Sequence, residues 1–163
     1  PHKYIMRSGQ LAFGTQIKGI TKTLEKWKNI YKNADEYIYE ILSEIPGDLF
    51  DPLTKKVKAG IKSRYIVSEF ASVPQGRKAE LKRSGFNKLI EKGLIERKMR
   101  KHVKVIIVLN EKEACVCFPD LNGEADLTEM FYGDDYQFHE WCIDYFRDCW
   151  SDADLFIESK LKE

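Results

Sequence analysis

The chain has 163 residues, enough for one domain with a hydrophobic core, and its 43% hydrophobic and 33% charged residues are typical of a folded globular protein, which argues against disorder. Its longest apolar run, Val105–Leu109, is far too short to cross a bilayer, and no signal-peptide pattern opens the chain, so we expect a cytoplasmic protein with no membrane partner. The net charge is only +1, but residues 1–112 hold 24 Lys and Arg against 12 Asp and Glu, whereas residues 113–163 hold 3 against 14.

Helices and strands alternate in the first part of the chain. Apolar residues at three- and four-residue spacing predict a helix over 14–33. The run Glu36–Leu42 is rich in β-forming residues and predicts a strand, ended by a turn at 43–47. A second helix is predicted over 48–59 and a second strand over Lys62–Ser68.

The alternation continues in the middle of the chain. Arg77–Lys92 has helical character and is interrupted at Ser84-Gly85. A third strand is predicted at Leu94–Lys98. Val103–Leu109 and Ala114–Phe118 are two β-rich arms on either side of a polar tip, which is typical of a hairpin.

The last segment predicts a long helix, because an apolar stripe at helical spacing extends from about Asp134 to Lys160. The whole pattern predicts an α/β fold: a mostly parallel sheet flanked by helices, with one antiparallel hairpin and a long C-terminal helix. We expect one domain over 1–163, made of a helical segment 1–34, an α/β core 35–133 and the C-terminal helix 134–163. Because residue 1 is Pro and not Met, we also expect the chain to be a piece of a longer protein.

The four cysteines do not suggest a metal site. In a leaderless chain they are expected to be reduced thiols. Cys115 and Cys117 fall on one face of a strand, where joint burial is expected, and Cys142 and Cys149 fall on the apolar stripe of the last helix. No pair has the spacing of a zinc knuckle, and no phosphate loop, dinucleotide motif or nucleophile elbow occurs, so no metal and no cofactor is predicted.

One stretch has the outline of a catalytic motif. His102-Val103-Lys104 and the apolar residues after it resemble the phospholipase D superfamily motif H-x-K-x4-D, but Leu109 stands at the position of the Asp. In that family the His is nucleophile or acid, the Lys holds phosphate and the Asp orients the imidazole. The small residues that follow the motif in the family are replaced by Cys115, Cys117 and Phe118. The resemblance therefore implies a degenerate phospholipase D-like half without activity.

A second resemblance extends over most of the chain. Asp35–Phe70, which includes Lys58-Ala59-Gly60-Ile61-Lys62-Ser63-Arg64, resembles the strand, helix and basic strand of archaeal transcriptional regulators of the TrmB-like type. Three later stretches resemble the effector domain of the methanogenesis-regulator (FilR-type) family: Ile106–Ala114, Leu121-Asn122-Gly123 and Asp135-x-x-Phe138-x-x-Trp141-x-x-x-Tyr145-x-x-x-Cys149-Trp150.

These resemblances imply a non-enzymatic effector or sensor domain of a transcriptional regulator. Such a domain responds to a small-molecule effector or mediates homodimerisation. It is normally joined to a winged-helix module or a signalling receiver, neither of which is evident in this sequence, and it reaches DNA only through the winged-helix module.

Ligands of parallel α/β sheets bind beyond the carboxyl ends of the strands. That rule selects Ser43 and Glu44 after one strand and Ser68 and Glu69 after the next as ligand-binding candidates. The phospholipase D resemblance adds His102 and Lys104. Each of the four strand-end residues also has an ordinary interpretation as a turn, a cap or a solvated side chain.

Two other functions stay open. One is a single-motif phosphodiesterase that works as a dimer. The other is a nucleic-acid-binding domain that uses a basic face, since the first 112 residues are strongly basic. The alternative interpretation of this charge is a basic layer neutralised by the acidic C-terminal helix packed on it.

Overall fold

A computed structural model describes residues 2–162, so that Pro1 and Glu163, the two ends of the predicted domain, lie outside the described residues. Eight strands form one sheet: β1 Thr15–Lys18, β2 Tyr37–Glu44, β3 Lys62–Ser72, β4 Ile95–Arg100, β5 Ile106–Leu109, β6 Ala114–Cys117, β7 Glu129–Gly133 and β8 Asp154–Leu155. Six α-helices accompany them: α1 His2–Met6, α2 Ile20–Asn33, α3 Phe50–Lys58, α4 Arg77–Ser84, α5 Phe86–Glu91 and α6 Tyr136–Asp152. Short 3₁₀ turns lie at Ser8–Leu11, Gly47–Leu49 and Glu158–Lys160.

The sheet is mixed, so the prediction of a mostly parallel sheet is wrong. The strand order is β1-β7-β6-β5-β2-β3-β4-β8, and only the neighbours β2–β3 and β3–β4 are parallel. These pairs are joined by helical crossovers, as the alternation indicated. After β4 the chain crosses back to β5, which pairs antiparallel with β2, and then continues into β6 and β7, each antiparallel to the strand before it. The turn between β5 and β6 is too short for a parallel crossover.

The sheet separates two apolar layers. Helices α2 to α5 cover one face, where Trp27, Ile30, Val57 and Phe86 are buried against β2 and β3. Helices α1 and α6 cover the other face. The side chains of the central strands alternate between the layers, which is why these strands are almost continuously apolar.

The predicted N-terminal helix begins later than expected. Residues Thr15–Lys18 form the edge strand β1, paired antiparallel with β7, and the helix starts only at Ile20. Gly19 separates the two elements with φ +95°, a conformation that ends the strand and that other residues rarely adopt. The helical spacing of Ile17 and Ile20 was therefore misleading, because pairing with β7 decides the conformation of this segment.

The C-terminal helix ends at Asp152 and not at Lys160. Its apolar residues pack on the α6 face, but Phe156 and Leu161 pack into the core on the opposite face. The chain must therefore pass around the edge of the sheet, which it does through β8, paired with β4. A continuous straight helix could not reach both faces.

Other predicted elements are present. Two helices replace the interrupted one at 77–92, and Gly85 joins them with φ +79°. β5 and β6 form the predicted hairpin, with Leu109 opposite Ala114. Within residues 2–162, none of the helices has both the length and the apolar character that crossing a membrane requires.

Candidate functional site

The six predicted ligand-binding residues lie near one end of the central strands. Ser43 and Glu44 are the last residues of β2, and Ser68 and Glu69 lie within β3, so these four residues do not follow their strands as predicted. β2 ends at Glu44, and β5 runs antiparallel to it. The segment 101–105, which leads into β5, therefore lies near the same end of β2 as Glu44. His102 and Lys104 are in that segment, and both are exposed. The topology gathers these residues, but Glu44 and Glu69 line two different surface clefts.

Several of these side chains have structural partners. The buried Ser68 hydroxyl donates to the Lys101 carbonyl oxygen at 3.3 Å and accepts the Phe70 amide at 3.1 Å. The Glu69 carboxylate forms an ion pair with Lys160. Glu44 is half-buried, and burial raises the pKa of its carboxyl. Ser43 lies beside it on β2 and is partly buried.

The degenerate motif has a clear geometry. The ring of His102 stacks on that of Phe70, with the centroids 5.4 Å apart. The Lys104 ammonium lies 3.7 Å from the position that a Cβ at Gly123 would occupy, beside the turn after β6. Leu109, at the Asp position of the motif, is fully buried in the α6-side core. The leucine side chain has no polar atom with which to orient an imidazole.

A buried carboxyl group, which no sequence motif marks, lies in the middle of the sheet. Glu40 is 1% exposed, and its Oε1 accepts hydrogen bonds from Trp27 Nε1 at 2.9 Å and from the Tyr31 hydroxyl. Its Oε2 has no partner. Burial raises the pKa of Glu40 to about 7, although the two hydrogen bonds oppose that rise. The sequence does contain a pattern that predicts this burial, because Glu40 alternates with the apolar Ile38 and Leu42 on the inward positions of a strand.

Glu40 borders a small cavity of about 40 Å³ beneath the helical layer. An outer cleft of about 180 Å³ shares three lining residues with it, Ile45, Phe50 and Arg77. The other residues that line the inner cavity are mainly apolar or aromatic: Trp27, Tyr31, Leu42, Pro46, Leu49, Leu53, Tyr65, Leu81 and Phe86.

Arg77 is the one cationic side chain in that lining, and it is already paired. Its guanidinium, 4% exposed, forms an ion pair with Glu158, whose other oxygen accepts from Arg97 Nη1 at 3.3 Å. The pKa of Glu158 is lowered, because the two guanidinium groups outweigh the effect of burial.

The two outer surfaces of the protein differ in charge. Helices α2 to α5 carry 12 Lys and Arg against 4 Asp and Glu, and we call their solvent side the basic helical face. Helix α6 carries four Asp and Glu against one Arg. Part of the acidic charge is neutralised by the N-terminus, through Lys3 with Asp148 and Arg7 with Asp144. The basic helical face stays on the opposite side of the sheet.

The cysteines lie where the sequence predicted. Cys115 and Cys117 point into the helical-layer core, whereas Cys142 and Cys149 are buried on the α6 side. Burial raises the pKa of each thiol. The sheet thus separates the two pairs, and residues 2–162 contain no cluster of three or more His, Cys, Asp or Glu side chains arranged to hold a metal.

No protein-family model and no curated protein sequence matches this chain significantly. Solved structures are similar in fold. TrmBL2, an archaeal chromatin protein with a novel mode of DNA binding, matches with a TM-score of 0.69 and 17% identity over 88% of this chain and 54% of TrmBL2. This chain thus spans about half the length of that protein.

Two smaller structures match almost over their full length. NucT from Helicobacter pylori has a TM-score of 0.64 and 12% identity, over 88% of this chain and 98% of NucT. Nuc from Salmonella typhimurium, a phospholipase D family member, has a TM-score of 0.60 and 14% identity over the same shares. At these identities the likeness is one of fold. The chain therefore has the α/β fold shared by TrmBL2 and members of the phospholipase D family.

Proposed function

We propose that this chain is a non-catalytic regulatory domain of a cytoplasmic transcriptional regulator, which senses a small molecule and forms a homodimer. The observation that carries the proposal is the burial of Leu109 at the position where phospholipase D chemistry needs a carboxylate. Without that carboxylate, nothing at this position fixes the His102 ring for proton transfer, and the ring stacks on Phe70 instead.

The regulatory part of the proposal has separate support. The sequence resembles the effector domains of archaeal regulators, and the fold is similar to that of TrmBL2, an archaeal chromatin protein. A fold hosts many functions, so this support concerns the class of protein and not its ligand.

A phosphodiesterase assay tests the non-catalytic role. The intact chain and His102→Ala are incubated with bis(p-nitrophenyl) phosphate and with single-stranded DNA, with and without divalent cations. We expect the two proteins to be indistinguishable from buffer. Hydrolysis by the intact chain that disappears in His102→Ala would overturn the proposal in favour of a dimeric phosphodiesterase. Light scattering on the same samples tests the homodimer.

The basic helical face favours a second candidate, direct binding of nucleic acid. Its excess of Lys and Arg provides the sequence-independent attraction to phosphates on which such binding depends. Lys55 and Lys58 are exposed on α3 within this face.

Salt dependence separates the two candidates. A face that contacts six phosphates loses affinity for duplex DNA by about a thousandfold between 50 and 200 mM salt. The regulatory proposal predicts no such binding by this chain alone. Should binding occur, Lys55→Glu with Lys58→Glu will weaken it, whereas Arg147→Glu on the opposite helix α6 will not.

A further inference from the structure

We propose that the cavity beside Glu40 binds a small organic cation, an ammonium group on a short apolar stem, which pairs with the free oxygen of Glu40. This inference rests on the proposed sensing function and deepens it, because it names a site and a class of ligand. The site lies inside the helical layer, away from the strand-end residues that sequence patterns selected.

The position of Glu40 is rigid. It lies at the centre of β2, opposite Tyr65 of β3 and Val108 of β5, with strands bonded on both sides. Trp27 and Tyr31 fix its Oε1 from helix α2. Its side chain is therefore held ready for a ligand, and binding would require little reorganisation.

The Oε2 atom needs a donor. A buried polar atom without a hydrogen bond is costly, and almost all such atoms in folded proteins have a partner. The other polar side chains of the lining have partners: Tyr31 and Trp27 donate to Oε1, Arg77 is paired with Glu158, and the Tyr65 hydroxyl is hydrogen-bonded to Arg97. None of the described side chains donates to Oε2, so its donor is a ligand or a water molecule.

Water is a poor candidate for that donor. A buried water needs two to four polar partners, and this lining offers it little besides the one free oxygen. An alkylammonium group fits this lining better than water, because it combines a charged donor for Oε2 with an apolar stem that contacts the apolar side chains of the cavity.

The aromatic lining favours a cation over an anion. Five rings border the cavity, and the faces of such rings attract ammonium groups when water is excluded. A carboxylate in the same cavity repels an anionic ligand. The rings and the carboxylate thus both favour a positively charged ligand. The five rings belong to Trp27, Tyr31, Phe50, Tyr65 and Phe86.

The size of the cavity limits the ligand. Its volume of about 40 Å³ is about three times what one water needs, so it holds a small head group and not a whole metabolite. The outer cleft shares Ile45 and Phe50 with it and provides room for the rest of the molecule. We therefore expect the ammonium group inside and the stem directed toward Phe50.

The test uses n-butylammonium chloride, with butan-1-ol and sodium butyrate as neutral and anionic probes of the same length. The readout is the indole N–H signals of the ¹⁵N-labelled protein, because Trp27 lines the cavity whereas Trp141 and Trp150 do not. Substitution of Trp141 and Trp150 by Phe assigns the signals. We expect n-butylammonium at millimolar concentration to shift the Trp27 signal saturably and to leave the other two unchanged.

Charge and pH provide a second readout on the intact protein. The shift is expected to be larger at pH 8 than at pH 6, because more Glu40 is ionised while the alkylammonium stays protonated. Butan-1-ol and butyrate should bind much more weakly. An equal response to butan-1-ol would show that the cavity does not select a cation, and an unmoved Trp27 signal would show that n-butylammonium does not enter it. Either result would overturn the proposal.

Two substitutions and one control locate the site. Glu40→Gln keeps the shape of the side chain and an acceptor for Trp27, and we expect it to weaken n-butylammonium binding at least about tenfold. Glu91→Gln removes an exposed carboxyl from α5, outside this cavity, and is expected to bind normally. Leu53→Phe fills the cavity with Glu40 intact and should also abolish binding. Unchanged affinity in Glu40→Gln would contradict the proposal.

Failure here is distinguishable from failure of the proposed function. Hydrolysis that depends on His102 would remove the non-catalytic role, whatever the cavity binds. The absence of n-butylammonium binding would remove this inference and leave the non-catalytic role as it was.

Discussion

The buried guanidinium of Arg77 is held by the carboxylate of Glu158, 81 residues later in the chain. Glu158 belongs to the segment that passes around the sheet edge after α6, and it also contacts Arg97 of β4. This contact fastens the last residues to the helical layer. It also keeps Arg77 from being an unpaired charge beside the Glu40 cavity.

Glu158→Gln is therefore expected to destabilise the fold. It leaves Arg77 buried without its counter-charge, which we expect to cost about 2 kcal/mol, less than for a fully buried pair because the Glu158 side chain is 38% exposed. Urea denaturation measures the change. The matched control is Glu91→Gln, an exposed carboxyl on α5, for which we expect a change within about 0.5 kcal/mol. Equal effects of the two substitutions would refute the role of this pair.

Gly133 is predicted to tolerate no side chain. A Cβ on it would lie 2.4 Å from Cγ of Phe138, whose ring is fully buried at the start of α6. Gly133→Ala should cost at least about 1–3 kcal/mol, since the ring or the strand must shift. Gly9→Ala is the control, because a Cβ there meets nothing within 4 Å. Thermal unfolding compares them, and a Gly133→Ala protein as stable as the parent would contradict this packing.

The stability of the protein should depend on pH through Glu40. Its pKa is about 7 in the fold and about 4.5 when unfolded, so the folded state binds the proton more tightly. The free energy of unfolding then falls as the pH rises from about 4.5 to 7, by at most about 3 kcal/mol. Burial raises the pKa values of the neighbouring Tyr31, Tyr65 and Cys115, so none of them titrates in this range.

Glu40→Gln isolates that contribution. The difference in unfolding free energy between the parent and Glu40→Gln should decrease across the same pH interval and level off above it. A flat difference would mean that burial does not raise the pKa of the Glu40 carboxyl in the folded protein.

The cysteines are expected to react only when the protein unfolds. All four thiols are buried, and burial raises the pKa of each, so little thiolate is accessible at pH 8. Alkylation by iodoacetamide, followed by mass spectrometry, should therefore be slow without urea and rapid for all four in its presence. Rapid modification of a single site in the native protein would show that this part of the core opens on its own.

The sequence predicted an element correctly where the local residue pattern agreed with the long-range strand pairing, and incorrectly where the two differed. The β5–β6 hairpin and the break at Gly85 depend on neighbouring residues, and both were predicted. The strand at Thr15–Lys18 exists because of its pairing with β7, more than a hundred residues later, and local spacing favoured a helix there. The end of α6 has the same explanation, since only the packing of Phe156 on the other face requires the chain to turn.

The candidate site could also be predicted only in part from the sequence. The strand-end rule selected Glu44, which is the last residue of β2, and its role in ligand binding stays a prediction. Glu40 was missed because a single Glu in an apolar strand is detected only by its place on the inward face. Its partners, Trp27 and Tyr31, are on a helix whose packing the sequence did not reveal.

Leu109 fills the core between the sheet and α6, so restoring the carboxylate of the family motif by Leu109→Asp should not restore activity. The change buries a charge in an apolar layer, and we expect it to lower the unfolding free energy by at least about 3 kcal/mol. Leu109→Met keeps the volume and should cost less than about 1.5 kcal/mol. Urea denaturation and the phosphodiesterase assay are measured on both. A stable Leu109→Asp protein that hydrolyses phosphodiesters would mean that one substitution separates this chain from an enzyme, whereas an unstable, inactive one indicates that the surrounding core has adapted to Leu109.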